Sequence, residues 1–157
     1  MSFLTRVPPR QPSRALRKFS RLTVITNALN IAAELSSTHF EVIRTGATLR
    51  KNSFSLVGHP AEDLLHDLNA DIVFLGVDGF DPATGVTTPN VLESRVNRAM
   101  ARAAQMVVAV RDSSKFGRRS LALIVPTNEI DLVVTDANLA PEYVSAMAAA
   151  GVTVKMV

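Results

Sequence analysis

The chain has 157 residues, about the size of one domain, and a globular chain of this length buries roughly 70% of the surface that it exposes when unfolded. Apolar residues make up 47% and charged residues 20% of the sequence, and no apolar run approaches the roughly 20 residues that cross a bilayer. Cysteine is absent, which excludes disulfides and thiolate zinc sites, and the composition favours a cytoplasmic globular protein.

The net charge of +3 comes from the start of the chain. Residues 1–21 carry six Lys and Arg and no acid, which leaves 11 basic against 14 acidic residues, or −3, in residues 22–157. Pro8, Pro9 and Pro12 oppose helix formation in this basic segment. We predict a disordered tail over residues 1–13, and the alternative is a basic arm that binds nucleic acid.

From residue 22 onward, strand-like and helix-like segments alternate. The predicted strands are rich in apolar and β-branched residues and cover 22–26, 40–45, 71–77, 106–110, 130–136 and 152–157. The predicted helices have apolar residues at helical spacing and cover 27–37, 59–69, 91–105 and 140–151, with Asn27 at the N-cap of the first. Segments 46–58 and 78–90 are predicted to be loops. The alternation predicts an α/β fold with an open, mostly parallel sheet that helices cover on both faces.

Polar clusters follow four of the predicted strands. They are Thr26-Asn27, the segment 46–50, the loop after the third strand, and the segment 111–117. In an open parallel sheet, ligands bind at the carboxyl ends of the strands, because loops and helix N-termini gather there. The sequence therefore predicts a binding site along this edge.

The loop after the third strand belongs to the stretch FLGVDGFDPATGVTTPN, residues 74–90. Its glycines, among them Gly79 and Gly85, allow a close approach of the backbone to a ligand. Thr87 and Thr88, together with the amides at the start of the next helix, are suited to an anion, and Asp78 is placed to accept hydrogen bonds from sugar hydroxyls.

The same stretch has a structural interpretation. Asn90 and Glu93 have the spacing of a capping box, and Asp81 has the spacing of a turn residue before proline. For Glu93, a helix cap and a ligand role are equally open. In the segment DSSK, Lys115 can reach a phosphate, whereas Asp112 is equally suited to cap a turn. The three histidines show no metal-ligand spacing, and no cofactor motif is present, so we expect no cofactor.

Seven segments occur in a specific order: LTVITNALNIA, GATLR, SLVG, NADIVFLGVDGFDPATGVTTPN, ESRVNRAM, DSSKFGRRSLALI and IDLVVTD. In this order and spacing they resemble the effector-sensing domain of DeoR-type bacterial transcriptional repressors, from about Arg14 to the C-terminus. The residues of these segments most resemble those of the subgroup that controls galactitol and N-acetylgalactosamine operons.

The resemblance implies the fold of ribose-5-phosphate isomerases and CoA transferases and a pocket for a phosphorylated sugar or sugar alcohol that acts as inducer. It also implies a homo-oligomer without enzymatic activity, with DNA binding confined to an intact full-length relative. With Gly85 from the loop described above, the expected ligand-binding residues are Thr26, Asn27, Gly46, Asp78, Gly79, Gly85, Thr87, Thr88, Asp112 and Lys115.

The sequence departs from the family pattern at its start. The winged helix-turn-helix of the family is missing, and so is the first sensor strand with its Asp-Ser-Gly-Thr-Thr phosphate loop. Ala47 stands where the family usually has a second glycine. We therefore expect a truncated repressor whose sensor domain covers residues 14–157, lacks its first strand and phosphate loop, and is unable to bind DNA itself.

An isomerase is the alternative function. Asp-Gly-Phe-Asp at 78–81 and DSSK are similar to Asp-Gly-Ala-Asp and Asp-x-Ser-Lys of sugar-phosphate isomerases. Their Lys- and Gly-rich loop is replaced here by TGVTTPN, which offers no lysine for holding the substrate. A CoA-transferase-like role with Glu93 as nucleophile is less favoured, because Glu93 opens a helix.

Overall fold

The computed structural model describes residues 2–4, 19–46, 48–76 and 78–157. The strands of these residues are β1 Ser2–Leu4, β2 Thr23–Thr26, β3 Glu41–Arg44, β4 Thr48–Arg50, β5 Ser55–Val57, β6 Ala70–Gly76, β7 Gly79–Asp81, β8 Gly85–Thr88, β9 Ala104–Val110, β10 Ala122–Val125, β11 Leu132–Thr135 and β12 Thr153–Met156. The helices are α1 Leu29–Leu35, α2 His59–His66, α3 Val91–Arg102 and α4 Pro141–Ala149, with 3-10 turns at Ser113–Lys115 and Thr127–Glu129.

The main sheet has seven strands in the order β12-β11-β9-β6-β1-β2-β3. Every pair of neighbours runs parallel. The longest ladder joins β6 and β9, from Ala70 opposite Ala104 to Gly76 opposite Val110. Helices lie in the connections from β2 to β3, β3 to β6, β6 to β9 and β11 to β12, which is the pattern that builds a parallel sheet. The predicted α/β class is confirmed.

Helices cover both faces of this sheet, as predicted. Val73 and Leu75 of β6 belong to the larger core, which includes Met100 of α3. Phe74 points to the opposite face and packs against the smaller core, which includes Ile31 of α1. Successive side chains of a strand alternate between faces, so a nearly continuous apolar strand such as β6 requires apolar cover on both sides.

Strand β1 lies between β2 and β6, where the sequence led us to expect a disordered tail. Ser2 pairs with Val24 and Ile72. The prediction of disorder is wrong for Ser2–Leu4, and a strand precedes β2 in the sheet, contrary to the expectation of a domain without its first strand. Three residues are too few to show a period, and their pairing partners are distant in sequence. The rest of the predicted tail and Ala47 lie outside the described residues.

Two small antiparallel sheets replace the predicted loops. Strands β4 and β5 form a hairpin, and β7, β8 and β10 form a three-stranded sheet in the order β10-β8-β7. Their strands have only three or four residues, so periodicity does not reveal them. Gly85 has φ +123°, and a Cβ at this position would overlap the carbonyl oxygen of Val125. The glycine therefore permits β8 to approach the end of β10.

Candidate functional site

A polar cleft lies at the carboxyl ends of the central strands. It is formed by the turn after β2, the β4–β5 hairpin, the end of β6, strand β8 and helix α3. The residues that line it are Asn27, Ala28, Ser53, Ser55, Gly76, Asp78, Thr88, Glu93 and Asn97. This edge is where ligands bind in open parallel sheets, and it is the edge that the sequence predicted.

The buried carboxylate of Glu93 is the centre of the cleft's hydrogen-bond network, and the residue is only 7% exposed. Its Oε1 accepts a hydrogen bond from Ser55 Oγ at 2.7 Å, and its Oε2 lies 2.9 Å from Nη1 of Arg50. Burial raises the pKa of Glu93, but hydrogen bonds from Ser53 and Ser55 and the charge of Arg50 outweigh it and hold the pKa below its ordinary value. Glu93 is therefore ionised at neutral pH.

The start of helix α3 fixes the position of Glu93. The side chain of Asn90 caps the helix, because its Oδ1 accepts a hydrogen bond from the amide of Glu93 at 2.9 Å. This is the first half of the predicted capping box. The carboxylate of Glu93 binds Ser55 and Arg50 of the hairpin. Glu93 therefore takes part in the helix cap through its backbone amide and in the cleft through its carboxylate.

The β4–β5 hairpin is docked against the turn after β2. The amide of Leu56 donates to the carbonyl of Asn27 at 2.7 Å, and Nδ2 of Asn27 donates back to the carbonyl of Leu56 at 3.2 Å. The sequence predicted Asn27 as the N-cap of α1, and this prediction is wrong. The cap position is Ala28, which makes no side-chain capping hydrogen bond. The long-range pairing with the hairpin satisfies the Asn27 amide instead.

A second carboxylate, that of Asp78, lies beside Glu93. The hydroxyl of Thr88 is 3.1 Å from Oδ2 of Asp78 and 3.5 Å from Oε2 of Glu93. A hydroxyl has one hydrogen to donate, and the shorter distance favours Asp78 as its acceptor. The cleft therefore contains two carboxylates linked through one threonine.

Three of the ten predicted ligand-binding residues line the cleft: Asn27, Asp78 and Thr88. Two other threonines make hydrogen bonds that hold the local backbone. Thr26 accepts from the amide of Ala28 at 3.1 Å, and Thr87 accepts from the amide of Ser120 at 2.9 Å.

The three predicted glycines lie at close backbone contacts within the fold. A Cβ at Gly46 would overlap the side chain of Leu56. A Cβ at Gly79 would lie 2.7 Å from a backbone oxygen of Arg118. Together with Gly85, described above, these positions show a packing reason for glycine that does not depend on a ligand.

Asp112 and Lys115 lie in the turn after β9 and do not line the cleft. The hydroxyl of Ser114 hydrogen-bonds the Asp112 carboxylate and, as the largest cause, lowers its pKa. Asp136 orders the turn, since its carboxylate accepts from the amides of Ser113 at 2.7 Å and Asn138 at 2.9 Å. These hydrogen bonds hold the pKa of Asp136 at about 2.

Asp81 is a turn residue, as predicted. Its Oδ1 accepts from the amide of Ala83 at 2.8 Å, and its Oδ2 lies 2.7 Å from Nε of Arg119. The hydrogen bond from Arg119 is the largest of the contacts that lower the pKa of Asp81. The side chain thus stabilises the β7–β8 connection.

Several residues of the site were not expected from the sequence. Ser53, Ser55 and Asn97 were not singled out, and Arg50 was noted only as part of a polar cluster. For Glu93 the sequence left a helix cap and a ligand role equally open, with a nucleophile less favoured. Their proximity arises from contacts between distant segments; Ser55 and Glu93, for example, are 38 residues apart. The polar segment GATLR, which contains Arg50, was the one feature of the sequence that pointed to the hairpin as part of the site.

Within the described ranges, no group of three or more His, Cys, Asp or Glu residues could hold a metal ion. In the same part of the chain, no helix has the length and apolar character needed to cross a membrane.

Comparison with known proteins identifies the family. The family model "DeoR C terminal sensor domain" matches residues 11–137. The chain is 38% identical over 146 residues to the "Putative aga operon transcriptional repressor" of Escherichia coli O157:H7, which covers 92% of this chain and 54% of that protein. It is 39% identical over 142 residues to the "HTH-type transcriptional regulator GlpR" of Haloferax volcanii, covering 90% and 56%. It is 35% identical over 145 residues to the "HTH-type transcriptional regulator GolR" of Listeria innocua, covering 92% and 57%.

The chain spans about half the length of the curated relatives that it matches. Among solved structures, eIF2B beta from Chaetomium thermophilum is similar with a TM-score of 0.44 at 15% identity, over 84% of this chain and 42% of that one, a likeness too distant to bear on function. The family model and the three relatives agree over most of the sequence, and the chain belongs to the DeoR C-terminal sensor domain family.

Proposed function

We propose that the chain is the effector-sensing domain of a DeoR-family repressor of a sugar or sugar-alcohol operon, and that its inducer is a phosphorylated sugar or sugar alcohol. The observation that carries this proposal is the composition of the cleft. Its lining combines two carboxylates, two amides and three hydroxyls at the carboxyl edge of the parallel sheet. Such a set provides both donors and acceptors for the many hydroxyls of a sugar.

The state of Glu93 supports recognition in preference to catalysis. A general base works best when its pKa lies near the working pH. The pKa of Glu93 is below its ordinary value, and the carboxylate is held by Ser55 and Arg50. Such a carboxylate is a weak base for abstracting a proton from carbon. This argues against Glu93 as the general base of a sugar-phosphate isomerase.

We assign operator binding and self-association to the full-length repressor. The relatives that carry the names of transcriptional repressors and regulators are about twice as long as the matched region. In this proposal, the sensor domain supplies effector recognition, and the domain that contacts DNA responds to it. The inducer shifts the repressor between states because it binds one of them more tightly.

Thermal melts of the purified chain test the proposal. The ligand panel is galactitol 1-phosphate, N-acetylgalactosamine 6-phosphate and glycerol 3-phosphate, each beside its unphosphorylated parent. A ligand at 100 times its Kd stabilises the folded state by about 2.7 kcal/mol, which raises the Tm by roughly 5–10 °C for a chain of this size. We expect at least one phosphorylated compound to produce such a shift.

A matched pair of variants locates the binding. Asp78→Asn changes a carboxylate of the cleft and is expected to reduce the shift, whereas Asp63→Asn changes an exposed carboxylate outside the cleft and is expected to preserve it. A cooperative melt that no compound moves would contradict the proposal. So would isomerisation of a ligand, detected by NMR, that Asp78→Asn abolishes.

A further inference from the structure

The described side chains on one wall of the cleft are mostly acidic. Glu93 and Asp78 contribute two carboxylates, and Arg50, which is bonded to Glu93, contributes one guanidinium. Among the described residues that line the cleft, none is a lysine or an arginine. The guanidinium of Arg50 is engaged by Glu93 at 2.9 Å. A dianionic phosphate placed against this wall would meet like charges at short range.

The hydrogen-bonding chemistry of the wall indicates what it recognises. An ionised carboxylate only accepts hydrogen bonds. The oxygens of a phosphate dianion are also acceptors, so a phosphate against Glu93 would face it without a shared hydrogen. A hydroxyl group is a donor and meets the carboxylate favourably. We propose that Glu93, supported by Asp78, binds hydroxyl hydrogens on the carbon chain of the inducer, and that the phosphate is held away from this wall. This inference rests on the function proposed above.

Glu93 has capacity for such a ligand. A carboxylate has about four lone-pair sites. Ser55 occupies one site of Oε1, Arg50 occupies one site of Oε2, and a hydrogen bond from Ser53 takes a third site. Thr88 lies closer to Asp78 than to Glu93, at 3.1 Å against 3.5 Å, so it is the weakest of these donors. A ligand hydroxyl can therefore bond the carboxylate without displacing Arg50.

The carboxylate is also held rigidly, which makes it suited to discriminate between sugars. The Asn90 cap fixes the backbone of Glu93, and the side chain is bound from the hairpin by Ser55 and Arg50. A site that hydrogen-bonds a particular hydroxyl strongly rejects an analogue without it, because its own polar group is then left unpaired. Glu93 is thus a specificity-determining residue that distinguishes inducers by the position of a hydroxyl.

The test is a set of Kd measurements by isothermal titration calorimetry. The probes are the three phosphorylated compounds named above and inorganic phosphate, and the proteins are wild type, Glu93→Gln and Glu62→Gln. Glu62 is the matched control, because its carboxylate pairs with Arg95 at 3.6 Å outside the cleft. The Glu93→Gln variant is expected to bind the preferred sugar phosphate roughly 10- to 100-fold more weakly, the range for losing a hydrogen bond to a charged group.

Inorganic phosphate separates the two possible arrangements of the ligand. If the phosphate lies away from Glu93, the Glu93→Gln variant binds inorganic phosphate within about twofold of wild type. If instead the phosphate lies at Arg50, removal of the neighbouring carboxylate strengthens the binding of both probes, and the inference is overturned. An unchanged Kd for the sugar phosphate overturns it as well. The Glu62→Gln variant is expected to match wild type with every probe.

Two further outcomes are distinguishable. If no phosphorylated compound binds wild type, the proposed function fails, and this inference fails with it. If the compounds bind wild type but the Glu93→Gln variant does not fold, Asp78→Asn provides the same readout from the second carboxylate. If that variant binds the sugar phosphate more weakly but keeps its Kd for inorganic phosphate, the inference is supported. An equal change in the Kd of both probes overturns it.

Discussion

Replacing Arg50 with glutamine removes the cation that faces a buried carboxylate, and the cost follows from the local geometry. The two groups lie 2.9 Å apart, and the side chain of Glu93 is 9% exposed whereas that of Arg50 is 29% exposed. Breaking a fully buried ion pair costs about 3–5 kcal/mol, and losing a hydrogen bond to a charged group costs about 1.5–3 kcal/mol. Because water reaches Arg50 in part, we expect the Arg50→Gln variant to lose about 2 kcal/mol, or roughly 4–8 °C in Tm.

The effect depends on pH in a defined direction. The folded-state pKa of Glu93 lies below its ordinary value of 4.5, so the stabilisation from its charge is complete above that value and is lost as the pH falls through the folded pKa. In the Arg50→Gln variant, burial continues to raise the pKa of Glu93 while the opposing charge is gone. The stability difference between the two proteins should therefore be largest at neutral pH and shrink as the pH falls below about 4.5.

Urea denaturation at pH 7 and pH 4 measures this difference. The matched control is Arg95→Gln, whose pair with Glu62 is longer, at 3.6 Å, and whose side chain is 57% exposed, so its loss should cost under about 0.5 kcal/mol. The double variant Arg50→Gln with Glu93→Gln should recover part of the loss, because no buried charge is left unpaired. An Arg50→Gln variant as stable as the control at pH 7, or a stability difference that grows in acid, would contradict this role of the Arg50–Glu93 pair.

Three further predictions concern stability and are measured by thermal or urea melts. Asp136→Asn should lower the Tm at pH 7. Because the folded pKa of Asp136 is about 2 against an ordinary 3.8, the difference in Tm from wild type should shrink as the pH falls from 3.8 towards 2, and a constant difference would contradict this. Gly85→Ala should cost about 3 kcal/mol or more through overlap with a backbone carbonyl of β10, whereas Gly151→Ala, with φ +80° in open space, should cost about 1 kcal/mol; equal losses would exclude the overlap. Phe116→Ala should cost about 3–5 kcal/mol, because its ring is buried between two aromatic rings at 5.2 and 5.7 Å, and Phe54→Ala, which is 60% exposed, should change stability little; similar values would contradict this packing.

Long periodic segments were predictable from the sequence. The run from 71 to 77 predicted strand β6, which covers Ala70–Gly76, and the apolar spacing after Asn90 predicted helix α3 with its cap. These signals are local, because a buried strand and an amphipathic helix each carry their own pattern of apolar residues. The edge of the sheet that holds the cleft followed from the same alternation, since parallel strands end on one side.

The short strands were not predictable in the same way. Strand β1 has three residues, and its place between β2 and β6 depends on pairing across about 20 and 70 positions of sequence. The segments 46–58 and 78–90 contain glycines and polar residues, which are typical of loops. Pairing with β10 and docking against Asn27 turn them into strands.

The sequence alone determined the α/β class and the family resemblance, and it predicted a ligand site at the carboxyl edge of the sheet, because each depends on the order of local segments. Only the tertiary structure decided which side chains meet there. It brought Glu93 of α3 to Arg50 and Ser55 of the hairpin, and it placed Gly79 and Gly85 at backbone contacts. A side chain's partners depend on contacts between distant segments, and neither composition nor periodicity encodes those contacts locally.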